Sequence, residues 1–146
     1  MKKFKASGIL YSNGEHIGLT KCRIDGEDLE GVVKRSPEKI PVVSSFEHWR
    51  NPENVIGHAT LEYVRHKGNP HIDAHVTFNT AESDFYEALL KKDRKAVRLG
   101  FMIRQFTRDE NDILHDGRIN LIVLSPDALG GYIYNFGWED DDASDS

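Results

Sequence analysis

The chain has 146 residues, 29% of them charged and 38% apolar, which fits one globular domain able to bury roughly 68–70% of its unfolded surface. A single cysteine, Cys22, excludes an internal disulfide or a cysteine-built zinc site, and no apolar run approaches the length of a membrane span. The net charge of −5 belongs to the last eight residues, whose five acids leave 19 acids against 19 bases before them, and that neutral body argues against a general nucleic-acid binder.

Residues 1–138 therefore read as a single domain, and 139–146 as a solvated acidic tail or a docking tag for a basic partner. The opening Met1-Lys2-Lys3-Phe4-Lys5 carries charge with no apolar stretch behind it, unlike a secretory signal. An intracellular, reduced, soluble protein is expected, with no membrane partner.

Strand signals dominate the chain. Lys3 to Tyr11 reads as a strand ending at the turn former Ser12-Asn13-Gly14, and His16 to Arg23 as a second short one. Asp25-Gly26-Glu27-Asp28 is a turn, and Leu29 to Lys34 fits either a strand or a helix. Ser36-Pro37-Glu38 suits a helical turn with Ser36 as its cap. Ile40 to Ser44 reads as a buried strand with Pro41 at an edge or bend. Val55–His66 and His71–Phe78 flank Lys67-Gly68-Asn69-Pro70, a four-residue hairpin connection. Alternation puts Leu61, Tyr63, Ile72, Ala74, Val76 and Phe78 on its core face. It puts His58, Thr60, Glu62, His66, His71, Asp73, His75 and Thr77 on the other.

Thr80 to Lys92 is the best helix, capped by Thr80, with Glu82 and Asp84 in its first turn and Lys91 and Lys92 in its last. Phe85, Ala88 and Leu89 recur at helical spacing as its core face. Ala96 to Phe106 follows as a strand, with Val97, Leu99, Phe101 and Ile103 on one side. Thr107–Gly117 reads as a polar loop, Arg118 to Leu124 as a strand, and Asp127 to Tyr134 as a short helix or turn weakened by Gly130-Gly131.

Few motifs carry chemistry. His71, Asp73 and His75 share one strand face, with Glu62 and His66 across from them, and two histidines with a carboxylate can hold a divalent ion. That spacing is no zinc signature, and the face reads as the solvated side of an amphipathic hairpin, where polar residues of any kind will do; no metal and no cofactor are expected. There is no phosphate-binding glycine loop and no Gly-x-Ser-x-Gly elbow. The basic run Lys91-Lys92-Asp93-Arg94-Lys95 suits a solvated helix end.

The order of these elements resembles the prohead (head-maturation) serine proteases of tailed phages, relatives of the herpesvirus assemblin proteases. Ile40-Pro41-Val42-Val43 leads to His48, then to Val55-Ile56-Gly57-His58-Ala59-Thr60-Leu61. A strand at Ala74–Phe78 precedes a helix carrying Tyr86 and Leu89-Leu90. Val97-Arg98-Leu99-Gly100-Phe101 is similar to the family's Ser-x-Gly-Phe strand, and Arg118-Ile119-Asn120-Leu121-Ile122-Val123, with Pro126 after it, to its closing strand. Phe4 to Ser12 resembles its first strand. The resemblance implies an α+β, mainly antiparallel, barrel-like prohead-protease fold of about six to eight strands with at least one flanking helix.

It also implies where activity should sit. His48 falls on the catalytic histidine. The serine position is Arg98, and an acidic position opening the last strand is Arg118. Arginine has no nucleophilic atom and stays protonated, so it serves neither as nucleophile nor as base. The leading expectation is thus a degenerate protease: a phage head or virion assembly protein binding a capsid, portal or scaffold protein, with a homo-oligomer allowed. Arg98, Arg104 and Arg118 would supply a binding surface for acidic groups. It would work in the host cytoplasm during assembly, or stay in the virion. One alternative is an active maturation protease with a relocated hydroxyl, for which Ser44, Ser45 and Ser83 come to mind. The other is an acidic-tailed binding or regulatory module. The expected core is Ile40, Val42, Leu61, Tyr63, Ile72, Val76, Phe78, Phe85, Leu89, Val97, Leu99, Phe101, Ile103, Leu121 and Val123.

Overall fold

The computed structural model describes residues 2–48 and 54–140, with the side chains of His48 and His66 outside that description. In chain order the elements are β1 (Lys2–Ser12), β2 (Arg23–Ile24), α1 (Leu29–Arg35), β3 (Ile40–Val43), a 3₁₀ turn (Phe46–His48), β4 (Val55–His66) and β5 (Asn69–Phe78). There follow α2 (Thr80–Lys92), β6 (Arg98–Arg104), β7 (Thr107–Arg108), β8 (Ile113–His115), β9 (Arg118–Ser125) and β10 (Ile133–Asp140). Seven strands form one curled, half-barrel sheet in the order β10-β1-β5-β4-β3-β9-β6; β2, β8 and β7 form a small second sheet. The large sheet is antiparallel except where β3 meets β9. The class is α+β, mostly antiparallel.

The β4–β5 hairpin sets the registers. Lys67 (φ 51°) and Gly68 (φ 78°) are both left-handed, so the connection is a two-residue turn that pairs His66 with Asn69, tighter than the expected four residues. From there Tyr63 faces Ile72, Leu61 faces Ala74 and Ala59 faces Val76 on the core side. Glu62 faces Asp73 and Thr60 faces His75 on the other. β1 adds to β5 with Phe4, Ala6 and Leu10 inward and Lys3, Lys5 and Ser7 outward.

α1 resolves the Leu29–Lys34 ambiguity in favour of helix, burying Leu29 and Val32. Ser36 ends this helix rather than starting another turn. Its Oγ donates to the Val32 carbonyl at 2.6 Å and accepts from the Ile119 amide at 2.9 Å, tying the helix end to β9. Pro41 precedes Val42 and Val43, the residues paired with β9, so its missing N–H removes no bond from that ladder.

Several expectations need correction. His16–Arg23 is mostly turn, and only Arg23 and Ile24 pair as strand, with β8. The polar 107–117 stretch contains β7 and β8, too short to show a period. Of the 127–134 stretch expected as a short helix or turn, Asp127 lies in a turn, while Ile133 and Tyr134 open strand β10. β10 pairs along β1 from Gly8↔Ile133 to Lys2↔Asp140, so Glu139 and Asp140 belong to the sheet and not to a free tail; 141–146 lie outside the described residues.

α2 is turned by one position from expectation: Ser83, Tyr86 and Leu90 are buried, Leu89 is partly so and Phe85 is 62% exposed. Asn79, not Thr80, occupies the cap. Tyr86 stacks on Phe78 at 4.7 Å between centroids, and Phe78 meets Phe4 at 5.5 Å, which fixes the helix rotation. Ile40, Val42, Ile72, Val76, Phe78, Val97 and Leu99 lie in the main core as expected. Leu61, Tyr63, Phe101 and Ile103 pack on it half-buried, and Leu121 and Val123 belong to a smaller cluster with Val43. Phe4, Leu10, Tyr11, Leu29, Ile119 and Ile122 are among the further residues of the main core.

The helix phase gives a direct expectation. Phe78→Ala should cost about 3–5 kcal/mol, while Phe85→Ala should stay within about 0.5 kcal/mol, as read from urea midpoints. Near-equal losses would mean that the helix is rotated.

The small sheet is fastened by charge. His115 sits between Asp109 (2.8 Å from Nε2) and Asp25 (3.1 Å from Nδ1). Its hydrogen bond to Asp109, aided by Asp25, raises the imidazole above its ordinary value, and the same bond holds the Asp109 carboxyl below its own. The His115 contribution is therefore complete below the ordinary histidine range and fades as pH rises through the raised value. The Asp109 contribution is complete above the ordinary carboxylate range and fades as pH falls through the lowered one. Melting temperature against pH should show a plateau between the two ranges, and His115→Gln should flatten its alkaline flank.

Candidate functional site

The open sides of the curled sheet are joined by the segment before β10. The Gly130 amide donates to the Leu99 carbonyl (2.8 Å) and the Leu99 amide to the Gly131 carbonyl (2.9 Å). The Gly131 amide donates to the Ile9 carbonyl (3.0 Å). One short segment thus bonds both β6 and β1. Only glycine fits there: a Cβ on Gly130 would lie 2.1 Å from the Leu99 oxygen, and one on Gly131 2.3 Å from the Ile9 oxygen. The Gly130-Gly131 pair marks this close backbone approach.

Arg98 braces the same seam. Its Nε donates to the Gly130 carbonyl at 2.9 Å and its Nη2 to the Leu129 carbonyl at 3.1 Å. Its guanidinium lies 4.9 Å from the centre of the Tyr132 ring, within cation–π reach. The planar fork therefore serves the fold. Two residues on, a Cβ at Gly100 would come within 2.9 Å of Phe46, so glycine admits that ring and brings the 3₁₀ turn containing His48 against β6. The His48 side chain lies outside the described residues.

A pocket of about 370 Å³ opens on this seam between Leu10, Tyr11, Phe46, Phe101 and Leu129, with the 15–20 loop as its rim. Leu19 is 93% exposed, and Phe46, Leu129 and Tyr132 are each exposed by about two-fifths.

The other two expected arginines are elsewhere. Arg104 and Arg118 face each other across β6 and β9, six residues along from Arg98, a distance of about 20 Å in strand. Arg118 Nη1 donates to Gln105 Oε1 at 3.1 Å. No single arginine face joins the three, because Arg98 turns to backbone at one end of β6 while the pair sits at the other.

Two of the suggested replacement hydroxyls are engaged within their own turns. Ser45 Oγ accepts from the Glu47 amide, and Ser83 is buried and donates to the Asn79 carbonyl. Ser44 lies beside Glu82 and Tyr86 at the foot of α2.

The outward face of the hairpin holds a second constellation. Ser7 Oγ is 2.7 Å from His75 Nδ1, and His75 Nε2 is 2.8 Å from Glu62 Oε1. Tyr134, from the β10 side of the β1 register shift, donates its hydroxyl to Asp73 Oδ2 at 2.8 Å. Burial and this bond push the Tyr134 phenol up to about 12. The expectation of a wholly solvated polar face is overturned at Asp73, which is only 6% exposed because Tyr134 closes over it. Alternation on β4 and β5 had exposed Glu62, Asp73 and His75 as one face; Ser7 and Tyr134 come from strands whose pairing no local pattern announces. His71 Nε2 lies 3.2 Å from Asp73 Oδ1, and the His66 backbone pairs at the turn. A groove of about 760 Å³ runs over Ser7 and His75 and is edged by Lys3, Lys5, Lys39 and Trp138.

Hydroxyl, imidazole and carboxylate thus stand in a row, which is the material of nucleophile activation. Ser7, however, lies mid-strand between His75 of β5 and Asn135 of β10. Its neighbouring amides serve the sheet rather than a developing oxyanion.

The basic run is also partly used. Lys91 pairs with Glu87 at 3.3 Å, and Arg94 Nη1 donates to the Tyr134 carbonyl at 3.1 Å. No helix among the described residues is long and apolar enough to cross a membrane. No family model, curated protein or solved structure matches the chain.

Arg98→Ala should lower stability by about 1.5–3 kcal/mol through two lost charge-assisted bonds, measured by urea denaturation. Arg98→Lys should recover less than half of that, since an ammonium lacks the fork that spans two carbonyls.

Proposed function

We propose that the chain is a bacteriophage head-assembly protein with a prohead-protease-like fold that has given up proteolysis at the ancestral position. On this reading it holds a capsid, portal or scaffold partner in the host cytoplasm during assembly. The carrying observation is Arg98. At the position where the resemblance puts the nucleophile stands a cation whose fork is occupied by the Leu129 and Gly130 carbonyls. A side chain with that duty can neither attack a carbonyl nor leave its place for substrate.

Two further features support the reading. The 3₁₀ turn bearing His48 lies against β6 at Gly100, two residues from Arg98, which suits a histidine beside a former nucleophile. The 370 Å³ pocket beside them, with Leu19, Phe46 and Leu129 exposed at its rim, suits an apolar side chain of an extended partner segment. The Arg104–Arg118 pair, at the far end of β6, lies about 20 Å from that pocket along the strand and would be a separate contact.

The alternative, a serine hydrolase with a relocated nucleophile, is favoured by one observation, the Ser7–His75–Glu62 row.

Intact-mass spectrometry with a fluorophosphonate probe separates the two. The expected outcome is no adduct, no self-cleavage and no processing of purified capsid or scaffold precursor, in wild type and in Arg98→Ser alike. Leu129→Asp should weaken capture of the purified head protein. One stoichiometric adduct on Ser7, lost in His75→Ala, would instead establish the hydrolase.

A further inference from the structure

We propose that Glu62, Asp73 and His75 form a binding site for a divalent transition ion of the Zn²⁺ type on the outer face of the β4–β5 hairpin. One donor atom from each residue lies within 4.8 Å of the other two, the spread that ligands of one ion require.

The first argument is charge. The hairpin register sets Glu62 directly opposite Asp73, carboxylate against carboxylate, an arrangement that costs stability unless a cation stands between them. Asp73 is 6% exposed, so water screens it poorly.

The second is an unused atom. Asp73 Oδ1 is buried and has no hydrogen-bond partner. His71 Nε2 comes to 3.2 Å from it without making that bond. Buried carboxylate oxygens are rarely left in this state.

The third is the way the remaining atoms are held. In metal sites the non-coordinating atom of each ligand is fixed by an outer hydrogen bond. Here Ser7 Oγ lies 2.7 Å from His75 Nδ1, which leaves Nε2, 2.8 Å from Glu62 Oε1, as the nitrogen turned toward Glu62. Tyr134 donates to Asp73 Oδ2, which leaves Oδ1. Both outer partners thus hold Asp73 and His75 in place beside Glu62.

The donor chemistry selects the ion. One imidazole nitrogen with two carboxylate oxygens suits Zn²⁺ better than Mg²⁺, which prefers an all-oxygen octahedron and keeps its water. Glu62 is on the exposed side, so the fourth position opens to solvent.

The test uses the full chain, stripped with chelator, and titrated calorimetrically with ZnCl₂ and separately with MgCl₂. Wild type should bind one Zn²⁺ and melt at a higher temperature with it, and Mg²⁺ should bind at least tenfold more weakly. Glu62→Gln and His75→Gln should each weaken Zn²⁺ at least tenfold, and Ser7→Ala about tenfold through the outer bond. His115→Gln, at the other histidine–carboxylate cluster, should leave the affinity unchanged. Should Asp73→Asn fail to fold, the exposed Glu62 variant still decides. Absence of Zn²⁺ binding, or wild-type affinity in both Glu62→Gln and His75→Gln, would overturn the proposal and leave His75 paired with Glu62 as an ordinary ion pair.

Discussion

Gly130 and Gly131 are where the sheet's two ends meet. A half-barrel of seven strands has two open sides, and unpaired backbone on both would be exposed to water or to other chains. Three backbone bonds through these glycines join Leu99 of β6 to Ile9 of β1, and Arg98 holds the two carbonyls beside them. The strand after the clasp, β10, then has its direction set to lie along β1. The pocket opens on this pinned seam, and Tyr134, the extra residue of β10 at its register shift against β1, reaches Asp73.

Much of the sheet was legible before any coordinates. β1, β3, β4, β5, β6 and β9 all carry apolar alternation or a continuous apolar run over at least four residues, and such periods survive without tertiary information. β2, β7 and β8 are two or three residues long, below the length at which a period exists. β10 was missed for a different reason. The glycines before it read as helix breakers within a helix, whereas the tight approach to Leu99 and Ile9 is a long-range demand with no local trace. The one-position error on α2 has the same origin: Phe85 and Tyr86 are equal candidates by spacing, and only the Phe78 ring chooses between them.

The candidate sites divide along the same line. The resemblance singles out Arg98 as standing at a serine position, but the partners of Arg98 are carbonyls more than thirty residues away, and a side-chain-to-backbone bond leaves no sequence signature. The three arginines expected to share one surface are one brace and one distant pair. The hairpin cluster shows the converse. Its members alternate plainly on β4 and β5, yet the burial of Asp73, which gives the cluster its character, comes from Tyr134 on a strand two neighbours away. Faces can be read from alternation; depth cannot, because it depends on what a remote strand brings.

The pairing of Lys2 with Asp140 also has a mechanical meaning. Tension drawn between residue 2 and residue 140 acts across the ladder rather than along it, so the β1–β10 bonds meet the load one at a time, as in a zipper. Little force is needed to open such a ladder, and the peeling runs from Lys2 toward Gly8. It then reaches the Gly130–Gly131 segment, where bonds to two different strands and the Arg98 fork must yield together. The molecule is thus compliant at its paired ends and stiff at its seam. A pull transmitted through a partner would strip one strand and stop there, leaving the remaining six strands loaded only after the clasp gives way.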